Sequence, residues 1–414
     1  MLALLACAVA AAQPAGSRSR ALREPVTFSN QIVRIFQNRC QTCHRPGTVA
    51  PFSLLTYADA LPHARSIKTL TRNREMPPWK PVAGHGEFAG ERRLTEEEIG
   101  RIARWVDSGA PEGSPRDLPP PLQFSEGWAF GQPDLILDPE ADFQVPAGGL
   151  DTYRCFTIPT RLLQDRFLVK LDFQPGARSI IHHILLMEDP LGASTQFRNP
   201  NDPQPGYPCW GGSGIPTIDM LGVWSSGFRP EQLPAGYGLR IEASSRIIMQ
   251  VHYHNPTGRT VPDRSRAGLY FARDRVDKEI AYFPLVNPLL RIPPGDPRYT
   301  VRATAVIPPG VRLRIVSIFP HMHLLGREIR VEAVFPDSTR RTLLYIDDWD
   351  LDWQDIYYLR DPVPIPPLTR LELTSVYDNS DSNPRNPYNP PRAVVWGEQT
   401  TDEMCLAFLG FVWE

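Results

Sequence analysis

The histidines of this chain are few and grouped. Of nine in 414 residues, six fall in three short motifs: IHH with His182 and His183, VHYH with His252 and His254, and PHMH with His321 and His323. Scattered core histidines do not bunch in this way. On a β-strand, residues i and i+2 point to the same side, so His321 and His323 aim two imidazoles at one place while Met322 turns into the core. Adjacent His182 and His183 face opposite sides of a regular strand, and share one ion only at a strand end or a β-bulge. His254 follows His252 at the same spacing and could face the same ion. The other methionines near these motifs, Met187 and Met249, read as core residues.

The rest of the sequence suits strands. Prolines number 45, well above the usual share of about 5%. From residue 128 onward, short apolar runs alternate with Pro, Gly and Asn turns, the pattern of an all-β region. A hydrophobic content of 42% allows sizeable cores, and a net charge of −2 with dispersed Lys and Arg speaks against nucleic-acid binding. No later stretch approaches the roughly 18 apolar residues of a membrane helix, so no transmembrane segment is expected. The opening MLALLACAVAAAQPAG reads as a secretory signal over residues 1–12, with 13–27 as linker. It lacks a basic n-region, which suggests that translation starts further upstream. LLAC also resembles a lipoprotein box at Cys7, behind a very short apolar run. The expected location is therefore periplasmic or extracellular.

The motif CQTCH at residues 40–44 has the C-x-x-C-H form of c-type haem attachment. Cys40 and Cys43 are the candidate thioethers of one covalently bound haem c, and His44 is the proximal ligand. The alternative is a zinc or disulfide C-x-x-C. A helix carrying Ile32, Ile35 and Phe36 behind a Ser29 cap precedes the motif. A second helix starts at a Thr95–Glu98 capping box, lays Ile99, Ile102, Ala103 and Val106 on one face, and stops at Gly109 and Pro111. Residues 28–113 thus resemble a small all-α class I cytochrome c. Met76, in REMPPWKP, is the candidate sixth iron ligand; otherwise it is a packing methionine, and His63 or His85 takes that place. Residues 114–127 read as a Pro-rich linker.

The order HH, QVHY, HxHxxG and DEMC over about residues 128–414 resembles the copper type II, ascorbate-dependent monooxygenases, the peptidylglycine alpha-hydroxylating and dopamine beta-monooxygenase family. The resemblance implies two tandem antiparallel β-sandwich, jelly-roll-like domains, here 128–275 and 276–414, each holding one copper ion across a water-filled cleft. It implies His182, His183 and His252 as ligands of an electron-transfer copper, and leaves His254 unused. His321, His323 and Met404 would bind the catalytic copper. A thioether suits Cu(I). It also implies a Cys155–Cys209 disulfide, the alternative being two buried thiols. The family pairs the cysteine after the methionine ligand, but Cys405 has no such partner and is expected as a buried thiol.

The implied reaction places one atom of O2 in an activated C–H bond of a small-molecule substrate and releases the other as water. The two electrons come from an ascorbate-like reductant or a redox protein. The fused cytochrome is the expected donor, because a short linker keeps its effective concentration high. Phe319 stands where the peptide-amidating enzymes carry an arginine for the substrate carboxylate, which points to a more apolar substrate. Two other classes compete: a non-catalytic haem–copper electron-transfer or redox-sensing protein, and a β-sandwich adhesion or carbohydrate-binding module.

Overall fold

A computed structural model describes residues 25–414, except positions 47, 49, 125–126, 149–150, 210–211, 216–219, 226–227 and 229. The signal-sequence reading of residues 1–12 and the Cys7 box lie outside the described residues. The chain is mostly β, with several antiparallel sheets and few helices, all of these before residue 118 apart from short 3-10 turns. No described helix is long and apolar enough to cross a membrane.

The front segment is less regular than an all-α domain. Thr27, rather than Ser29, caps the first helix: its hydroxyl accepts the Asn30 N–H, and Phe28–Ile32 forms a wide π-type turn before the α-helix Val33–Arg39. Ser29 is buried instead. Its position inside the first turn, behind a Thr that can also cap, explains the displaced start. The helix Glu96–Asp107 has the expected reciprocal box, with Thr95 and Glu98 each satisfying the other's backbone N–H. Ile99, Ile102 and Ala103 are buried as expected. Trp105 is buried too, its indole N–H donating to Pro111 O, while Val106 is only half-buried. Two hydrogen bonds tie the start of the Pro-rich stretch to the first helix: Arg34 and Gln37 donate to the carbonyls of Asp117 and Pro120.

Beyond residue 128, two sheets share one core. A six-stranded sheet contains Arg166–Gln174, Tyr237–Ile241 and Arg266–Phe271, and a five-stranded sheet runs in the order Tyr207–Pro208, Asp151–Pro159, Arg246–His254, Ile181–Asp189, Met220–Ser225. Leu168, Leu239 and Leu269 from the first sheet meet Ile184, Leu186 and Val251 from the second. Cys155 and Cys209 form the expected disulfide, with Cα atoms 5.6 Å apart, beside a small satellite core.

Two four-stranded sheets enclose the next core. One contains Ala281–Val286, Leu406–Trp413, Leu313–His321 and Tyr357–Ile365; the other contains Tyr299–Val306, Arg370–Tyr377, Gly326–Val334 and Arg340–Ile346. Met322 is buried in this core, as its spacing required. Met249 is fully buried in the preceding one, and Met187 is half-buried. Cys405 is a buried thiol whose sulfur contacts Ser375 Oγ. The two cores touch, because Tyr282, Val316, Phe319 and Val412 pack on the first. The front segment docks on the second: bridges join Pro81 to Ile346 and Phe88 to Leu359, and Phe88 is part of that core.

Candidate copper centres and the cysteine-pair pocket

Strand register builds the first histidine group. Arg246–His254 pairs with Ile181–Asp189 so that His252 faces His183, but Tyr253 faces Ile181. His182 is the extra residue of a β-bulge, the device that lets adjacent histidines turn to one side. His182 Nδ1 and His183 Nδ1 lie 3.1 Å apart, and one ligand atom from each of His182, His183 and His252 falls within 4.8 Å of the others. Two nitrogens about 2.0–2.1 Å from one ion at a tetrahedral angle would be separated by about 3.3 Å. His182 Nε2 and both ring nitrogens of His252 are buried without a hydrogen bond, a state that is costly unless an ion completes it.

Neighbours hold this group in place. The Tyr153 ring lies flat on His252, and its hydroxyl donates to Glu398 O at 2.8 Å. Asp151 Oδ1 lies 3.4 Å from His252 Nε2, too poorly aligned for a directed hydrogen bond, and 3.2 Å from His254 Nδ1; Asp151 Oδ2 accepts the Thr400 backbone N–H. Burial alone would raise the Asp151 carboxyl, but His252 and Thr400 outweigh it and hold it well below the usual range. His254 itself is exposed at the strand end.

The second group forms where a strand stops. Leu313–His321 ends at His321, so His323 lies in the following turn rather than on the strand. The rings still converge, with Nε2 atoms 3.2 Å apart. His321 Nδ1 lies 2.5 Å from Gln354 Oε1, and His323 Nδ1 lies 3.2 Å from Asp402 O. Both partners are acceptors, which assigns the protons to Nδ1 and leaves two Nε2 lone pairs facing each other. Such a pair invites a cation. The buried Glu403 carboxyl group, its pKa pushed up to about 8 by burial, clamps the turn by accepting the N–H groups of His323, Leu325 and Met404. Gly326 is required here, because a Cβ would stand 2.7 Å from Trp349 and 2.9 Å from Met322. Met404 is buried directly after Asp402 and Glu403, and Tyr377 donates to its carbonyl.

Burial lowers all five imidazoles, and neighbouring histidines add to the effect at each, against the pull of Asp151 at His252 and of Gln354 at His321. His182 falls to about 3 and His321 to about 4. They are neutral near pH 7, as metal ligands must be. The two groups abut: the His183 and His321 ring centroids are 6.3 Å apart. The expected water-filled cleft is therefore not found between these rings, because Ser225–Gln354 and Tyr153–Glu398 hydrogen bonds draw the two sheet pairs together. Phe319 is buried beside the second group, its ring centroid 6.3 Å from that of His321 and close to parallel with Phe408 at 6.3 Å.

In the front segment, Cys40, Cys43, His44 and Met76 line one cavity of about 280 Å³ with Phe52, Leu54, Ile67 and Leu70. Its exposed lining is chiefly apolar. His44 Nδ1 lies 3.1 Å from Phe52 O, which leaves Nε2 as the free nitrogen. His63 stacks on Phe52, His85 meets Tyr345 edge-on, and neither histidine lines the cavity. The residues therefore suit a flat apolar group fixed by two thiols. Sequence reasoning missed Asp151, Tyr153, Trp353, Gln354 and Glu403. Of these, Glu403, inside the DEMC motif, and Asp151 and Tyr153, inside the run DTYRCFTIP, carried a sequence signal.

Residues 283–413 match the family described as copper type II ascorbate-dependent monooxygenase, C-terminal domain. The chain is 25% identical over 295 residues to DBH-like monooxygenase protein 1 of Homo sapiens, covering 64% of this chain and 45% of that protein. It is 25% identical over 260 residues to dopamine beta-hydroxylase of Canis lupus familiaris, covering 57% and 38% respectively. The chain thus spans under half the length of these curated relatives. A solved structure of PNGF-II overlaps 67% of this chain and 65% of its own at 8% identity, but its TM-score of 0.32 is too low to inform the fold.

Proposed function

We propose that this chain is an exported haem–copper monooxygenase. It hydroxylates an activated C–H bond of a small organic molecule with O2 and two electrons, releasing water. In this reading the two sheet pairs are sandwich domains. His182, His183 and His252 hold one copper, and His321, His323 and Met404 hold the other. Residues 28–113 form a cytochrome-like module with haem on Cys40 and Cys43, His44 beneath it and Met76 as its sixth ligand. The module serves as electron donor alongside an ascorbate-type reductant. Export is supported by the Cys155–Cys209 disulfide, a bond favoured in oxidising compartments.

The observation that carries the reading is the pair of histidine groups, each with ring nitrogens 3.1–3.2 Å apart and kept neutral by burial. Bound copper would supply dioxygen activation and one-electron chemistry. The chain's own residues prepare for it. Gln354 and Asp402 O hold the Nδ1 protons so that the Nε2 lone pairs are presented, Glu403 fixes the turn, and Tyr153 keeps the His252 ring from rotating. A buried Phe319 in place of a charged clamp suits an apolar or aromatic substrate.

One observation favours a second reading. The close contact of His183 with His321 leaves little room between the groups, as in a haem–copper electron carrier that hydroxylates nothing. Metal and haem analysis of the purified chain, followed by a metabolite screen under isotopically labelled O2 and reductant, separates the two. Label in a product supports the monooxygenase. Haem and copper present without any labelled product supports the carrier.

A further inference from the structure

We infer that the segment Trp353–Gln354–Asp355 is the electron conduit from the cysteine-pair pocket to the His321–His323 site. This rests on the haem and copper assignments above. The three residues take three consecutive parts. Trp353, though it belongs to the second sheet pair, walls the cavity that Cys40, Cys43 and His44 line. Gln354 is 4% exposed and touches His321 Nδ1 through Oε1. Its Nε2 donates to Leu351 O at 2.9 Å, so the amide orientation is fixed and the oxygen must face the histidine. Asp355 pairs with the buried Arg92, another lining residue of the same cavity.

The surrounding contacts make this a built joint rather than a chance approach. Lys80 reaches Asp348 and Asp350 at 2.9 and 3.4 Å, and Trp79 meets Tyr357 edge-on at 5.5 Å. Backbone bonds run from Val82 to Tyr345, from Ala89 to Tyr358 and from Arg360 to Glu87, each at 2.8 Å. The front segment is thus seated on the loop that carries Trp353.

Electron tunnelling weakens less through bonds than through space. From the pocket wall, a through-bond path along the Trp353 side chain, one peptide unit and the Gln354 side chain leaves a single hydrogen bond to reach His321. The other histidine group is less direct: Ser225 donates to Gln354 O, and Ser225 is the cross-strand partner of His183. The electron therefore arrives first at the His321–His323 site. The step is a single-electron exchange in which ferrous haem becomes ferric and one cupric ion becomes cuprous. No bond in the protein breaks and no proton moves.

The test is flash photoreduction of the haem in the haem- and copper-loaded full chain without O2. The decay of the ferrous absorbance is followed optically and the cupric signal by electron paramagnetic resonance. Trp353→Leu is expected to slow the decay while Trp353→Phe largely preserves it. Gln354→Leu is expected to slow it by about tenfold or more and to alter the cupric spectrum, in line with the loss of an outer partner of a ligating histidine. Unchanged decay in both Trp353→Leu and Gln354→Leu at full haem and copper content overturns the conduit alone. Ferrous haem that does not decay in the unsubstituted protein overturns both the conduit and electron delivery by the cytochrome, leaving the copper oxygenase. A purified chain without haem removes the cytochrome reading and the conduit with it.

Discussion

The Tyr153 ring stacks on the His252 imidazole with centroids 4.1 Å apart and planes 12° from parallel. The same tyrosine donates to Glu398 O in the following sheet pair. One side chain thus fixes a candidate copper ligand and ties it to the following sheet pair. Tyr153→Leu is expected to lower copper affinity at the three-histidine group by about tenfold, the usual loss when the support of a ligating histidine is removed. Competitive titration with a copper chelator measures this, with His321→Ala in the background so that only one site reports.

Glu403 turns its buried carboxyl group onto the backbone around His323. Removing it strands the N–H groups of His323, Leu325 and Met404 in a buried site. At about 1–3 kcal/mol for a buried donor left unpaired, Glu403→Ala should cost several kcal/mol of stability and weaken copper binding at the His321–His323 site more than at the other. Denaturant unfolding and copper titration check the two effects separately.

The Cys155–Cys209 bond closes a loop of 54 residues by sequence separation. The chain-entropy account gives it about 4 kcal/mol. The double serine variant should show a fall of that order in unfolding free energy by urea denaturation, with the two copper sites still able to bind.

Buried histidines make the copper-free protein acid-sensitive. His321 is lowered from 6.5 to about 4 by burial, against the pull of Gln354, and His182 to about 3. The unfolded chain therefore takes up these protons first as pH falls. This histidine contribution is fully present above about pH 6.5 and is lost as pH falls toward 4 at His321 and toward 3 at His182, with His321 alone contributing roughly 3 kcal/mol. Unfolding free energies of copper-free protein measured between pH 7 and 4 should fall, and His321→Gln should flatten part of that slope.

Much of this arrangement was legible in the sequence because it depends on local spacing. The Thr95–Glu98 box, the inward Met322 and the condition that His182 and His183 need a bulge all follow from helix and strand periodicity, and each is found. Ser29 misled because Thr27 two residues earlier offers the same hydroxyl. His323 falls off the strand because the close packing of Gly326 on Trp349 and Met322 goes with a turn there. The abutting of the two histidine groups, and the Trp353–Gln354 bridge to the cysteine-pair cavity, depend on how separate sheets dock. No local pattern in WQD announces that.

Copper counting on the purified chain and two variants tests the central claim most directly. The account predicts two copper ions per chain, one after His182→Ala with His183→Ala, and one after His321→Ala with His323→Ala. A single copper shared by all the histidines, or an unchanged count in either double variant, would contradict it.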